Sequence, residues 1–200
     1  MSTTRPSTRA ARLVLGALLV ASGVAVAGDV FDFIPPGGRT LLLEVLGSAP
    51  PAGEARALLT GKRSPEEWLR YLREHRKAVA GLQRLEEKEL LTLADYLSFS
   101  MPLAPARVPA APTRASAEKL LPPDGRDLVL DYCQSCHIIT VVVTQDRSST
   151  AWLGTMNKPS HVEIKLTPAQ REALARYLVV NAAIPIDQVP EELRAGGASY

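Results

Sequence analysis

Hydrophobic residues recur at helical spacing in several segments of the chain, and this pattern predicts an all-α protein. Leu128 and Tyr132 lie four residues apart, which gives a short helix one apolar face. A later helix is predicted to begin after Thr167, an N-cap residue followed by a proline. Its apolar positions are Leu174 and Tyr177, with a further leucine directly after them.

Residues 70–88 contain many charged side chains of both signs, which is typical of the solvated face of helices. The predicted buried side of these helices carries Leu69, Leu72, Leu82 and Leu85. Residues 138–144 break the helical pattern because they are mostly β-branched. We predict an extended apolar segment there, and a short strand is the alternative.

The same pattern occurs twice. Residues 35–44 and 122–131 share two prolines, a Gly-Arg pair, three aliphatic residues and an acid, at an offset of 87. Two further matches follow at offsets of 84 and 81, between residues 63–69 and 147–153 and between residues 93–97 and 174–178. The chain is therefore interpreted as a duplication, which predicts two small helical lobes.

The first lobe is predicted over residues 33–101 and the second over residues 122–184. Residues 102–121 between them are rich in proline and alanine, which favours a semi-rigid extended linker. Two arrangements of this linker remain open, a strut between the lobes and a strap along both. Residues 185–200 form a C-terminal arm of unassigned use.

Residues 1–27 have the pattern of a secretory signal peptide. Three arginines precede an uncharged apolar run over residues 13–27, which ends in Ala-Val-Ala. The run is shorter than the roughly 20 residues that a membrane-spanning helix needs, so an uncleaved anchor is the weaker alternative. We therefore expect export to the periplasm, with membrane contact only if the segment is retained.

Composition and charge exclude two classes of protein. With 46% hydrophobic and 22% charged residues, the chain is not intrinsically disordered. Removal of residues 1–27 takes away three of the 23 Lys and Arg residues and leaves 21 acidic ones, a net charge near −1. Nucleic acid is then not an expected partner, because no basic stripe remains to replace phosphate counterions.

The two cysteines, Cys133 and Cys136, are followed at once by His137. C-x-x-C-H is the attachment signature of c-type haem, in which two thiols bond to the vinyl groups and the next imidazole becomes the proximal iron ligand. A structural disulfide, a thioredoxin-type dithiol and a zinc site are the alternatives. The export signal and the flanking helices favour haem, so one covalently bound haem c is the predicted cofactor.

These residues resemble the class I-like c-type cytochrome domains. The likeness covers about residues 122–183, through Gly125, the attachment motif and the L-T-P-x-Q helix. The closer likeness is to the short haem domains that accompany quinohaemoprotein-type dehydrogenases, where an Arg-Ser pair, a tryptophan and a methionine follow, as at Arg147, Trp152 and Met156 here. The resemblance implies electron transfer by a haem whose axial ligands are His137 and Met156.

The identity of the sixth ligand has alternatives. A thioether suits ferrous iron, which favours Met156, but methionine is also a common core residue. His161, Met101 and an open site are the other possibilities. His75 and His161 are otherwise interpreted as surface residues.

The first copy lacks the haem-binding residues. The offsets of the repeat place Leu46, Ala49 and Pro50 opposite Cys133, Cys136 and His137, and they place Leu72 opposite Met156. This copy is therefore interpreted as a degenerate, haem-less lobe. Trp68 persists in it, so its counterpart Trp152 is predicted to be a packing residue.

The expected function is that of a periplasmic mono-haem cytochrome that transfers single electrons. The expected partners are a redox donor and acceptor, in particular a dehydrogenase or a respiratory relay. A haem enzyme or gas sensor with an open sixth position is the first alternative. A structural accessory whose haem only stabilises the fold is the second.

Overall fold

The computed structural model describes residues 29–135 and 137–194, and this part of the chain folds into helices without any strand. The predicted all-α class is therefore confirmed. The predicted signal peptide, residues 1–27, lies outside the described residues, as do Cys136 and residues 195–200 of the arm. None of the described helices is long and apolar enough to cross a membrane.

The helices of the two copies follow one another in a similar order. The first copy contains α1 (Gly38–Gly47), α2 (Ala52–Thr60), α3 (Pro65–His75), α4 (Ala80–Gln83) and α5 (Glu87–Ser100). The linker contains a 3-10 turn (Pro105–Arg107) and α6 (Arg114–Glu118). The second copy contains α7 (Gly125–Tyr132), a 3-10 turn (Cys133–Ser135), α8 (Thr140–Val143), α9 (Ser149–Met156) and α10 (Pro168–Asn181). The arm contains a 3-10 turn (Ile186–Gln188) and α11 (Glu191–Arg194).

Capping side chains fix where equivalent helices begin. Ser64 accepts a hydrogen bond from the third residue of α3, and Ser148 accepts one at the same place in α9. Thr167 caps α10 in a capping box with Gln170, and Pro168 is the first helical residue. The predicted start of this helix is confirmed.

The expectation of an extended segment over residues 138–144 is wrong, because the chain forms the short helix α8 there. Ile139 and Val143 are one helical turn apart and both are buried in the second lobe. The hydroxyl of Thr144 donates to the carbonyl of Thr140 at 2.7 Å. Burial of two positions four residues apart outweighs β propensity where there is no neighbouring strand to pair with.

Two separate hydrophobic clusters form the cores. The first draws on α1 to α5 and buries three of the four leucines predicted to face inward, while the fourth, Leu69, is partly buried against it. The second draws on α7 to α10. Each core is small, so contacts between the lobes matter for stability.

The two copies contact each other reciprocally along α5 and α10. The hydroxyl of Tyr96 donates to the carbonyl of Pro122 at 2.9 Å, and that of Tyr177 donates to the carbonyl of Pro35 at 2.5 Å. Asp95 and Arg176 occupy equivalent positions of the two copies and pair with each other at 2.5 Å. Such reciprocal contacts are those of an approximate two-fold arrangement.

Each copy also lends a segment to the core of the other. Ile34, just before α1, belongs to the second cluster, whereas Leu121, just before α7, belongs to the first. The linker packs along the first lobe, where Val108 and Ala117 are buried and the guanidinium of Arg56 donates to three linker carbonyls. The linker is therefore not a free strut.

Asp124 links the first turns of α1 and α7. Its carboxylate, only 2% exposed, accepts N–H bonds from Arg126 at 2.8 Å and Asp127 at 3.0 Å in α7, and from Arg39 at 2.7 Å in α1. Burial, and secondarily the charge of Asp127, raises the pKa of Asp124. A Cβ on Gly37 would lie 2.0 Å from this carboxylate, so only glycine fits at that position.

Candidate functional site

The end of α7 places two of the predicted haem-binding residues on one wall of a pocket. The helix ends at Tyr132, the 3-10 turn follows, and the N–H of His137 donates to the carbonyl of Cys133 at 3.3 Å. The inner face of the helix, at Leu128 and Val129, is buried against the second core. The core therefore holds the helix end that presents Cys133 and His137.

The pocket encloses about 560 Å³, including the part of its mouth that is open to solvent. Most of the wall is apolar, and its aliphatic members are Val142, Ile164, Leu166, Leu174 and Leu178.

Met156 and His161 also line the pocket that contains His137. Met156 is the last residue of α9 and is buried in the second core. The imidazole rings of His137 and His161 have centroids 6.1 Å apart, with 28° between their planes. The Nδ1 atom of His161 lies 3.0 Å from the hydroxyl of Ser160. Two of the three candidate distal residues therefore share a pocket with the proximal one.

Met101 and His75 lie elsewhere. Met101 is buried in the core of the first lobe, so it does not line the pocket. His75 stacks on Tyr71 with ring centroids 3.9 Å apart and contacts the Tyr71 carbonyl through Nδ1. His161, expected at the surface, is instead partly buried in the pocket wall.

The two tryptophans have matching surroundings in the two lobes. Trp68 and Trp152 are both buried, and the guanidinium of Arg63 or Arg147 lies over the ring, 4.4 Å and 5.2 Å from the centroid respectively. Within the described residues, neither indole N–H has a hydrogen-bond partner. Because Trp68 has these features in the copy without the motif, they do not single out Trp152 as a haem contact.

In the first copy, buried leucines occupy positions that correspond to pocket-lining residues of the second copy. Leu46 and Leu72, the counterparts of Cys133 and Met156, are both buried in the first core. Leu58 and Leu59 of α2 are buried beside them, whereas the corresponding helix α8 has only four residues. The first copy therefore has buried leucines where the second copy has pocket-lining residues.

Sequence reasoning missed Arg171, which holds the segment that carries both distal candidates. Its guanidinium donates to the carbonyls of Met156 and Ile164, and it lies 3.4 Å from that of His161. Arginine at this position is unremarkable in the pattern of α10. The only signal is that the repeat has a leucine, Leu90, at the equivalent place.

The chain matches no protein-family model, no curated protein and no solved structure. Within residues 29–135 and 137–194, no group of three or more His, Cys, Asp and Glu side chains is close enough to hold a metal ion.

Proposed function

We propose that the second lobe carries one haem c and that the protein transfers single electrons in the periplasm. In this proposal Cys133 and Cys136 attach the haem, His137 is the proximal ligand and Met156 is the distal ligand. The partners are a redox donor and an acceptor, one of them a dehydrogenase or a component of a respiratory relay. The first lobe binds no haem and supports the second.

One observation carries the proposal. At the positions equivalent to Cys133 and Met156 the first copy has the buried leucines Leu46 and Leu72, whereas in the second copy these residues line an apolar pocket. The copy with the pocket is also the copy with the attachment motif. An apolar pocket with a thiol and an imidazole on its wall suits a macrocycle that needs covalent attachment and an iron ligand.

The residues around the pocket also suit an iron that exchanges electrons and binds no substrate. A haem bound there would supply one-electron chemistry at its iron. Met156 offers a soft sulfur donor, and the aliphatic wall limits water around the iron, which together favour the ferrous state. His161 is the rival donor, because its imidazole lines the same pocket as that of His137, with ring centroids 6.1 Å apart, and could hold the iron in place of Met156.

The first experiment tests attachment. The full chain is produced in cells with and without the c-type cytochrome maturation apparatus and is examined by intact mass and by haem staining after denaturing electrophoresis. We expect the mass of one haem and a stain that survives denaturation, both lost in Cys133→Ala and Cys136→Ala. His137→Ala should change the visible spectrum, whereas His75→Ala, the matched change in the first lobe, should not. Colourless protein from maturation-competent cells would refute the proposal.

The second experiment separates electron transfer from an open-site haem enzyme or gas sensor, an alternative that the solvent-open mouth of the pocket favours. Carbon monoxide is added to the reduced protein and cyanide to the oxidised protein. Slow or incomplete binding is expected if both axial positions are filled. Rapid stoichiometric binding to the untreated protein would instead support the open-site alternative.

A further inference from the structure

Arg171 connects α10 to a second segment that lines the pocket, the one that contains Met156, His161 and Ile164. Its guanidinium donates to the carbonyl of Ile164 at 2.9 Å and to that of Met156, and it reaches those of His161 and Val162 at 3.4 and 3.5 Å. We call residues 156–164 the distal segment. One side chain thus contacts the distal segment at its start, near its middle and at its end.

The comparison of the two copies shows that this contact belongs to the pocket-bearing copy alone. Helices α5 and α10 have 14 residues each and begin at equivalent positions. The fourth residue is Arg171 in α10 and Leu90 in α5. Leu90 is fully buried in the first core. The position that holds a buried leucine in the first copy therefore holds an arginine in the copy with the pocket.

An arginine side chain is well suited to bind the backbone carbonyls of a loop. Its planar guanidinium has five donors in a fixed fork, so it can bind several carbonyls at once. Within the described residues, Arg171 makes no ion pair with an acidic side chain. Its donors are therefore directed to the backbone of the distal segment, which contains no strand and only the last residue of α9, Met156.

We infer that Arg171 is a positioning residue, which keeps the distal segment closed so that the distal ligand stays on the iron. This inference rests on the proposed haem site. It extends that proposal by assigning to Arg171 the role of holding the sixth ligand in place. Removal of the guanidinium should leave haem attachment intact, because the attachment motif lies outside the distal segment and Arg171 makes no hydrogen bond to Cys133 or His137 within the described residues. It should raise the fraction of molecules whose distal segment is open.

The test compares Arg171→Met and Arg171→Lys with Arg56→Met. Arg56 is a matched control, because its guanidinium also donates to several loop carbonyls but in the first lobe. The first readout is the rate of cyanide binding to the oxidised holoprotein, which reports opening whether Met156 or His161 is the ligand. The second is the near-infrared sulfur-to-iron absorption band.

We expect cyanide to bind Arg171→Met about 10- to 100-fold faster than the unmodified protein, the effect of losing one hydrogen bond to a charged group. Arg171→Lys should lie between the two, and Arg56→Met should not change the rate. A sulfur-to-iron band, if present, should weaken only in the Arg171 variants.

Unchanged cyanide kinetics and band in Arg171→Met would overturn the inference while the haem remains attached. If Arg171→Met does not fold, the same comparison between Arg171→Lys and Arg56→Met decides. Absence of haem from the unmodified protein would instead refute the proposed function, so the two failures are distinguishable.

Discussion

Replacement of Asp124 by alanine tests whether one carboxylate joins the two lobes. Its oxygens accept N–H groups from the first turns of both α1 and α7. The change removes the N-cap of α7, which ends at Tyr132 just before Cys133, and also the contact with the first copy. We expect the variant to lose much more stability than an ordinary cap would account for.

The magnitude follows from the number of donors left without a partner. Loss of a cap costs about 1 kcal/mol, and each buried unsatisfied donor costs about 1–3 kcal/mol. The burial that raises the pKa of Asp124 shows that the carboxylate also carries a desolvation cost, which alanine relieves. We therefore expect the free energy of unfolding to fall by about 2–4 kcal/mol.

The assay is urea unfolding of the full-length protein, followed by far-ultraviolet circular dichroism. Ser148→Ala is the control, because Ser148 caps α9 through a single exposed bond of 3.3 Å and its loss should cost about 0.5–1 kcal/mol. If Asp124→Ala costs no more than Ser148→Ala, the carboxylate does not join the lobes in the way described.

Three further predictions concern pH, the distal ligand and the interface. Burial raises the pKa of Asp124 above its ordinary 3.8. The free energy of unfolding of the protein, relative to that of Asp124→Asn, should therefore be greatest below pH 3.8 and should fall as the pH rises through the folded pKa. Urea unfolding at a series of pH values measures this difference. Met156→Ala should abolish the near-infrared sulfur-to-iron band of the oxidised protein, whereas His161→Ala should preserve it. Tyr96→Phe and Tyr177→Phe should each lower the free energy of unfolding by about 1 kcal/mol, since each removes one hydrogen bond across the interface.

Each of these three predictions has a result that would contradict it. A stability difference that grows with pH would mean that hydrogen bonding to the Asp124 carboxylate outweighs its burial. A band that survives in Met156→Ala would exclude Met156 as the ligand. If neither tyrosine change alters stability, the two reciprocal hydrogen bonds contribute nothing to the joint between the lobes.

The first copy contributes directly to the structure of the second. Ile34 lies in the second core, and the hydroxyl of Tyr177 donates to the carbonyl of Pro35. The guanidinium of Arg126 also donates to the carbonyls of Phe31 and Ile34. The segment before α1 is thus part of the second lobe, so the second copy cut out alone would lose part of its core.

Much of the fold was predictable because its signals are local. The helix start at Thr167 and Pro168 depends on capping and on a fixed φ, which act within one turn. The inward-facing leucines of the first copy depend on helical spacing alone. Residues 138–144 were predicted wrongly, because their β-branched composition is also local but burial of Ile139 and Val143 decided the outcome.

For the candidate site, the sequence named the candidate haem-binding side chains, including Met156 and His161, but not Arg171, which contacts the segment that carries these two. Cys133, Cys136 and His137 form one short motif, so their chemistry follows from adjacency. The contact between Arg171 and the distal segment joins residues up to 15 positions apart through backbone carbonyls, which carry no side-chain signature.

By itself the sequence determined the all-α class, the repeated pattern and the motif residues that the second copy has and the first lacks, since these depend on residue types and on spacing along the chain. Only the tertiary structure decided that the copies exchange segments, that Asp124 caps two helices and that His161 lies beside His137. Those features depend on which distant segments come into contact. Packing between whole surfaces determines these contacts, and the properties of a single segment do not.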